Sequence, residues 1–170
     1  REVDWGDTEI LIVDSPPGTG DEPLSVCQLL PDLSGGVLVT TPQQMAVSDV
    51  RRSVRFCERL SLPGLGVVEN MSGFVCPHCG ETSALFKHGG GETLAEEFGV
   101  PFLGRIPLDP TVMEASDGGV PFIAETSTAA SQAFRAAVDR LTAAMNGEAP
   151  EEVNENESGQ APNSDFFAIP

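Results

Sequence analysis

The stretch GVLVTTPQQMAVSDVRRSVRFCERL, residues 36–60, decides the fold. Gly36-Val-Leu-Val-Thr-Thr41 is an apolar run closed by Pro42, the pattern of a short strand buried on both faces. From Gln44 to Leu60, Val47, Val50, Val54 and Cys57 recur at helical spacing, while Arg51, Arg52, Arg55, Glu58 and Arg59 occupy other faces. That spacing predicts an amphipathic helix. Gly64 to Glu69 is the next apolar run and supplies a second strand, so strand, helix and strand follow one another as in a parallel βαβ unit.

The alternation continues in both directions. Upstream, Glu9-Ile-Leu-Ile-Val-Asp14 predicts another doubly buried strand, and Ser15-Pro-Pro-Gly-Thr-Gly-Asp21 a loop whose prolines and glycines cannot continue a ladder. Glu22 to Leu30 has helical character and stops before Pro31. Downstream, Lys87 to Gly91 predicts a flexible hinge, Glu92 to Phe98 a short helix ended by Gly99, Phe102 to Ile106 a strand, and Pro110 to Ser116 a short helix. A last amphipathic helix, from about Thr128 to Met145, aligns Ala130, Phe134, Ala137, Val138, Leu141 and Met145. Strands alternating with helices require an α/β fold, a mostly parallel sheet with helices on both faces. Ligands in such sheets sit at the carboxyl ends of the strands. Asp14, Thr41, Asn70 and Pro107 lie at or just past such ends, so the motif loops are expected on one rim.

The 170 residues carry 26 acidic and 9 basic side chains, a net charge of -17. Residues 147–170 form a tail rich in Glu, Asn, Ser, Pro and Gly, predicted to be disordered, with an apolar end at Asp165-Phe-Phe-Ala-Ile-Pro170. The tail holds six acids and no base, so residues 1–146 keep 20 acids against 9 bases, and Lys87 is the single lysine. An acidic, lysine-poor body fits a halophilic protein, in which salt screens the self-repulsion. The charge argues against nucleic acid and anionic membranes as partners. No apolar run approaches the ~18–20 residues of a membrane helix, and no signal-peptide pattern opens the chain, so a cytoplasmic location is expected. The chain opens on Arg1 and reaches a strand-like run at once, which reads as the later part of a longer protein.

Two features carry chemistry. Asp14, at the tip of an apolar strand, is what a Walker-B carboxylate near hydrated magnesium looks like, and the loop after it suits a segment that senses a γ-phosphate. Cys76-Pro77-His78-Cys79-Gly80 places two thiols so that both can ligate one metal centre. A redox pair is the rival, disfavoured because no helix follows directly. Cys27 and Cys57 lie in helical segments as core thiols, and no GxxxxGK[ST] phosphate loop occurs.

Taken in order, LIVDSPPGTGDEPLSV, VLVTTPQQMAVSDVRR, GVVENMSGFVCPHCG and FGVPFLGRIPLDP resemble the Mrp/ApbC family of iron–sulfur cluster carrier ATPases, of the MinD/ParA type with a deviant Walker A motif. The resemblance spans about Glu9 to Ile123. It implies Asp14 as the Walker-B residue, Pro16, Gly18, Gly20 and Asp21 in the switch loop, and Asn70 against adenine with Pro107 to Asp109 on the other side of the base. It also implies that Cys76 and Cys79 ligate a [4Fe–4S] cluster between the two subunits of a homodimer, which passes it to recipient apo iron–sulfur proteins, and that the intact protein uses Mg-ATP. The family's phosphate loop lies upstream of the Walker-B strand and is absent here, so this chain alone is not expected to hydrolyse ATP. Two other readings compete: a MinD/ParA-like positioning ATPase with an incidental cysteine pair, and a zinc-clamped dimerisation module.

Overall fold

The computed structural model describes residues 3–30, 32–76, 78–125 and 127–148. In chain order the elements are α1 (Asp21–Leu29), β1 (Gly36–Thr40), α2 (Gln44–Arg59), β2 (Gly64–Val75), β3 (Thr82–Ser83), α3 (Gly90–Phe98), β4 (Phe102–Leu108), α4 (Pro110–Asp117), α5 (Phe122–Glu125) and α6 (Ala129–Met145). β2 is central. It pairs in parallel with β1 and with β4, and its far end turns back through an antiparallel pairing with β3.

The period-two alternation of β2 sends successive valines to opposite faces. Val67 packs with Leu38, Val47, Val54, Leu94 and Ala95, so α2 and α3 cover one face. Val68 packs with Leu103, Ile106, Ala130 and Ala137 under α6 on the other. The helix spacing read in α2 is realised, with Val47, Val54 and Cys57 buried. Gly66 lies where β2 and β4 approach most tightly: its φ is +150°, and a Cβ there would come within 2.5 Å of the Leu103 side chain.

Three sequence expectations are corrected. Glu9 to Asp14 forms no strand; Ile10, Leu11, Ile12 and Val13 are 62, 52, 85 and 43% exposed. An apolar run becomes a buried strand only where a neighbour pairs with it and helices cover it, and no described element does either. The Lys87 to Gly91 hinge is a helix start instead, because Gly90 and Gly91 already belong to α3. On α6 the small residues Ala130 and Ala137 face the sheet, while Phe134, Val138 and Met145 of the predicted stripe are each about 40% exposed. The tail from residue 149 onward lies outside the described residues.

Among the described residues β1 has one neighbour, β2, and its outward-facing Val37 and Val39 are exposed. No helix among the described residues is long and apolar enough to cross a membrane.

Candidate functional site

Thr40, Glu69 and Arg105 stand side by side across β1, β2 and β4, at the carboxyl end of the parallel ladder. Two of the three are sealed from solvent, with Thr40 at 3% and Glu69 at 0% exposure. A carboxylate with no access to water needs donors. Its Oε1 accepts hydrogen bonds from Ser72 Oγ at 2.6 Å and from the Gly89 N–H at 2.9 Å, and its Oε2 accepts from the Gly91 N–H at 2.6 Å. Glu69 therefore serves as the N-terminal anion of α3, satisfying amides that a helix start leaves unpaired. Gly91 makes this approach possible, since a Cβ there would lie 3.0 Å from both Glu69 Cβ and Thr40 Cγ2. Arg105 closes the row: its Nη2 bonds Glu92 on α3, and its Nε lies 3.9 Å from Glu69 Oε1. Sequence reasoning passed over Glu69, although a lone carboxylate inside the run GVVEN was a visible signal.

Beyond Glu69 the strand bends. Met71 has a φ of +56° and Gly73 of +83°, and the pairing of β2 with β4 slips between Asn70 and Phe74. The remaining arm of β2 then forms a short hairpin with β3, pairing Phe74 with Ser83 and Val75 with Thr82. Cys76 and residues 78–81 belong to the turn of that hairpin, closed by the Cys76 N–H on the Glu81 carbonyl and the Gly80 N–H on the Cys76 carbonyl, both at 2.9 Å. The cysteine pair thus sits at the tip of a projecting arm, with Cys76 half-buried and Cys79 exposed. Hydrogen bonds from the backbone of Cys79, then from the backbone of His78 and the Cys79 side chain, hold the Cys76 thiol below its ordinary pKa. A lowered thiol pKa favours the thiolate, the form that binds metal. Cys57 is the opposite case: burial, followed by the proximity of Cys27, pushes its thiol up. Among the described residues no cluster of three or more His, Cys, Asp or Glu forms, so one chain offers two thiols and no complete metal site.

The other candidates divide into two groups. Asn70 pairs with Ile106 across the ladder, next in sequence to Pro107, and Asp109 follows the end of β4. The Asn70 carboxamide oxygen accepts from the Met71 N–H at 2.9 Å. Asp109 caps α4, accepting from the backbone and the hydroxyl of Thr111 at 2.9 and 2.7 Å. Asp14, Pro16, Gly18, Gly20 and Asp21 belong to the exposed segment before and at the start of α1. Among the described residues no hydrogen bond or ion pair joins them to Asn70 or Asp109. A magnesium donor set is not assembled around Asp14, and no nucleotide-driven step follows from this arrangement. A cavity of about 180 Å³ beside Pro42, Gln44, Lys87 and His88 is smaller than the ~300–1,000 Å³ of ordinary small-molecule sites.

Asp109 yields a stability prediction. Partial burial raises its pKa, but the bonds from Thr128 and Thr111 outweigh burial and hold it below the usual carboxylate value. A depressed folded pKa contributes stability above the unfolded value, about 3.9, that is lost as pH falls through the folded one. Asp109→Ala is expected to cost about 1 kcal/mol at pH 7. The two chains should converge in chemical denaturation as pH falls below the folded-state pKa of Asp109, and a gap that persists at the lowest pH at which both chains fold would mean the cap acts by something other than charge.

A sequence profile of the ParA group, described as the NUBPL iron-transfer P-loop NTPase, matches residues 1–142. The chain is 46% identical over 146 residues to an iron–sulfur cluster carrier protein of Methanocaldococcus jannaschii, covering 86% of this chain and 50% of that one. It is 57% identical over 122 residues to a cytosolic Fe–S cluster assembly factor, a NUBP2 homolog, of Nematostella vectensis, covering 69% of this chain and 44% of the relative. Among solved structures, a nucleotide-binding protein of Archaeoglobus fulgidus in complex with ADP, with cobalt found in it, matches with a TM-score of 0.63 and 38% identity, over 72% of this chain and 50% of that chain. The MinC:MinD cell division complex of Aquifex aeolicus shares the fold at a TM-score of 0.52 and 18% identity, over 74% of this chain and 48% of its own. The chain spans about half the length of the curated relatives it matches.

Proposed function

We infer, for a chain that belongs to the NUBPL iron-transfer P-loop NTPase family, that it carries the cargo-holding part of an iron–sulfur cluster carrier. The observation that supports this reading is the cysteine arm: two thiols in the turn of a hairpin at the end of β2, one with a lowered pKa. The cargo is a [4Fe–4S] cluster, which takes four thiolates. One chain offers two, and a two-fold axis near the tip supplies the same pair from a second copy, giving a homodimer. Recipients are apo iron–sulfur proteins, and the compartment is the cytoplasm, as the name of the Nematostella relative states for that protein.

The nucleotide belongs to the intact protein. The Archaeoglobus structure holds ADP, and Asn70 with Pro107 and Asp109 form the part of a base pocket that this chain contributes. Asp14 and the loop Pro16 to Asp21 act with magnesium and the phosphates only when the rest of the site surrounds them. Anaerobic reconstitution with iron and sulfide tests the reading, with about four irons and four sulfides per dimer expected. Zinc in place of iron, with no acid-labile sulfide, would favour the clamp instead.

The acidic body is adapted to salt. At about 0.01 M ionic strength the Debye length is ~30 Å and the carboxylates repel across the whole domain, whereas at about 1 M it is ~3 Å. Thermal melting in dilute buffer and in molar KCl is expected to show a large rise in Tm with salt. Equal values would mark an ordinary acidic protein.

A further inference from the structure

Ser72 and Gly89 mark the two ends of the cysteine arm, and both are fastened to one oxygen atom. Glu69 Oε1 accepts from Ser72 Oγ at 2.6 Å at the exit and from the Gly89 N–H at 2.9 Å at the return. We propose that Glu69 is the positioning residue for the cargo: its carboxylate closes the neck of the loop of residues 73–88 and so fixes where Cys76 and Cys79 are presented. The inference rests on the reading of those cysteines as the cargo ligands.

Few ladder pairs hold the arm in place. Phe74 pairs with Leu108 of β4 and with Ser83, Val75 pairs with Thr82, and Leu85 is 57% exposed. The backbone turns at Met71 and Gly73 on one side of the neck and at Lys87 on the other, with positive φ at all three. With so short a ladder, where the tip of the arm lies depends on how its neck is held. The pin itself is rigid, because Glu69 lies mid-sheet between Thr40 and Arg105 and its second oxygen is committed to the Gly91 N–H at 2.6 Å. A cargo shared with a second copy requires both pairs of thiols to meet at one place, so freedom at the neck becomes lability of the cargo. Asn70 follows Glu69 directly, so the rim that faces the base and the pin that sets the arm are neighbours on one strand.

An acid has two acceptor oxygens here, and an amide has only one. In Glu69→Gln the NH2 group must face either the Ser72 and Gly89 donors or the Gly91 donor, so either the neck or the start of α3 opens. Ser72→Ala releases the exit end alone and leaves both amide bonds of α3 intact. The test follows bleaching of the reconstituted iron–sulfide chromophore under an iron chelator, alongside Tm of the same samples. Expected are roughly 10-fold faster loss in Glu69→Gln, on the scale of outer-shell changes at metal sites, and several-fold faster loss in Ser72→Ala with Tm unchanged. Ser72→Thr keeps the hydroxyl and should restore the wild-type rate. Loss at the wild-type rate in Ser72→Ala and Glu69→Gln alike would overturn the proposal.

A second readout needs no cargo. Amide hydrogen exchange over residues 73–88 in the metal-free chain should rise in Ser72→Ala, and unchanged exchange there would also overturn the pin. A wild-type chain that takes up no iron would instead defeat the carrier reading, leaving hydrogen exchange to decide the neck.

Discussion

Alanine at Cys76 or at Cys79 is expected to abolish cluster assembly outright, while Cys57→Ala leaves it intact. In the homodimer proposed above, each chain would contribute two thiolates to a shared centre, so one substitution would remove two of the four ligands. Two remaining thiolates cannot retain the cluster. The structure separates this outcome from general damage: Cys76 and Cys79 lie in the turn of a projecting hairpin, outside both core clusters. The variants should therefore melt as the metal-free parent does. Cys57 is buried in α2 with its thiol pushed up by burial, which is the environment of an inert packing residue. Iron and sulfide counts on the variants after anaerobic reconstitution check this. A cluster retained in Cys76→Ala, or one held by a monomer, would refute the bridged arrangement.

Leu94→Ala is expected to produce the largest loss of stability, about 2–5 kcal/mol. Leu94 is fully sealed at the centre of the cluster formed by Leu38, Val47, Val54, Val67 and Ala95. Truncation there forfeits apolar burial and leaves a cavity whose walls belong to four elements, β1, α2, β2 and α3, so no single side chain can move in to fill it. For a domain of this size the Tm should fall by roughly 10 °C. Leu29→Ala, at a position 78% exposed, is the matched control and should lie within about 0.5 kcal/mol of the parent. Denaturant titration of both variants in high salt makes the comparison.

The parts that were legible in the sequence are those whose burial depends on near neighbours. The Val47, Val54 and Cys57 spacing of α2 and the β-branched runs of β1 and β2 carry their own periodicity, and each formed where expected. Glu9 to Asp14 has an equally strong pattern and is exposed, because a pattern states what a segment needs and not whether a partner is there. The arm after Asn70 was invisible for another reason. Its bend depends on single positive-φ residues, and its ladder on Thr82 and Ser83, two residues too few to leave a period. Cys76 and Cys79 announced themselves by spacing, but their placement at a hairpin tip did not. Glu69 was visible as a lone carboxylate inside GVVEN, but its role was not, since the donors that explain it lie at Ser72, Gly89 and Gly91, up to 22 residues away.

The single-sided pairing of β1 also bears on how the chain behaves in company. A row of backbone groups with no strand partner among the described residues, beside exposed Val37 and Val39, is a template on which an extended segment of another copy can add a strand. At -17 per chain, mutual repulsion keeps copies from approaching that edge in dilute buffer. Added electrolyte weakens the repulsion between molecules by the same screening that relieves it within each one. If the acidic body gains compactness from salt as proposed, compactness and colloidal dispersal respond to ionic strength in opposite directions, and the expected working range is a window of salt concentration with a wall on either side.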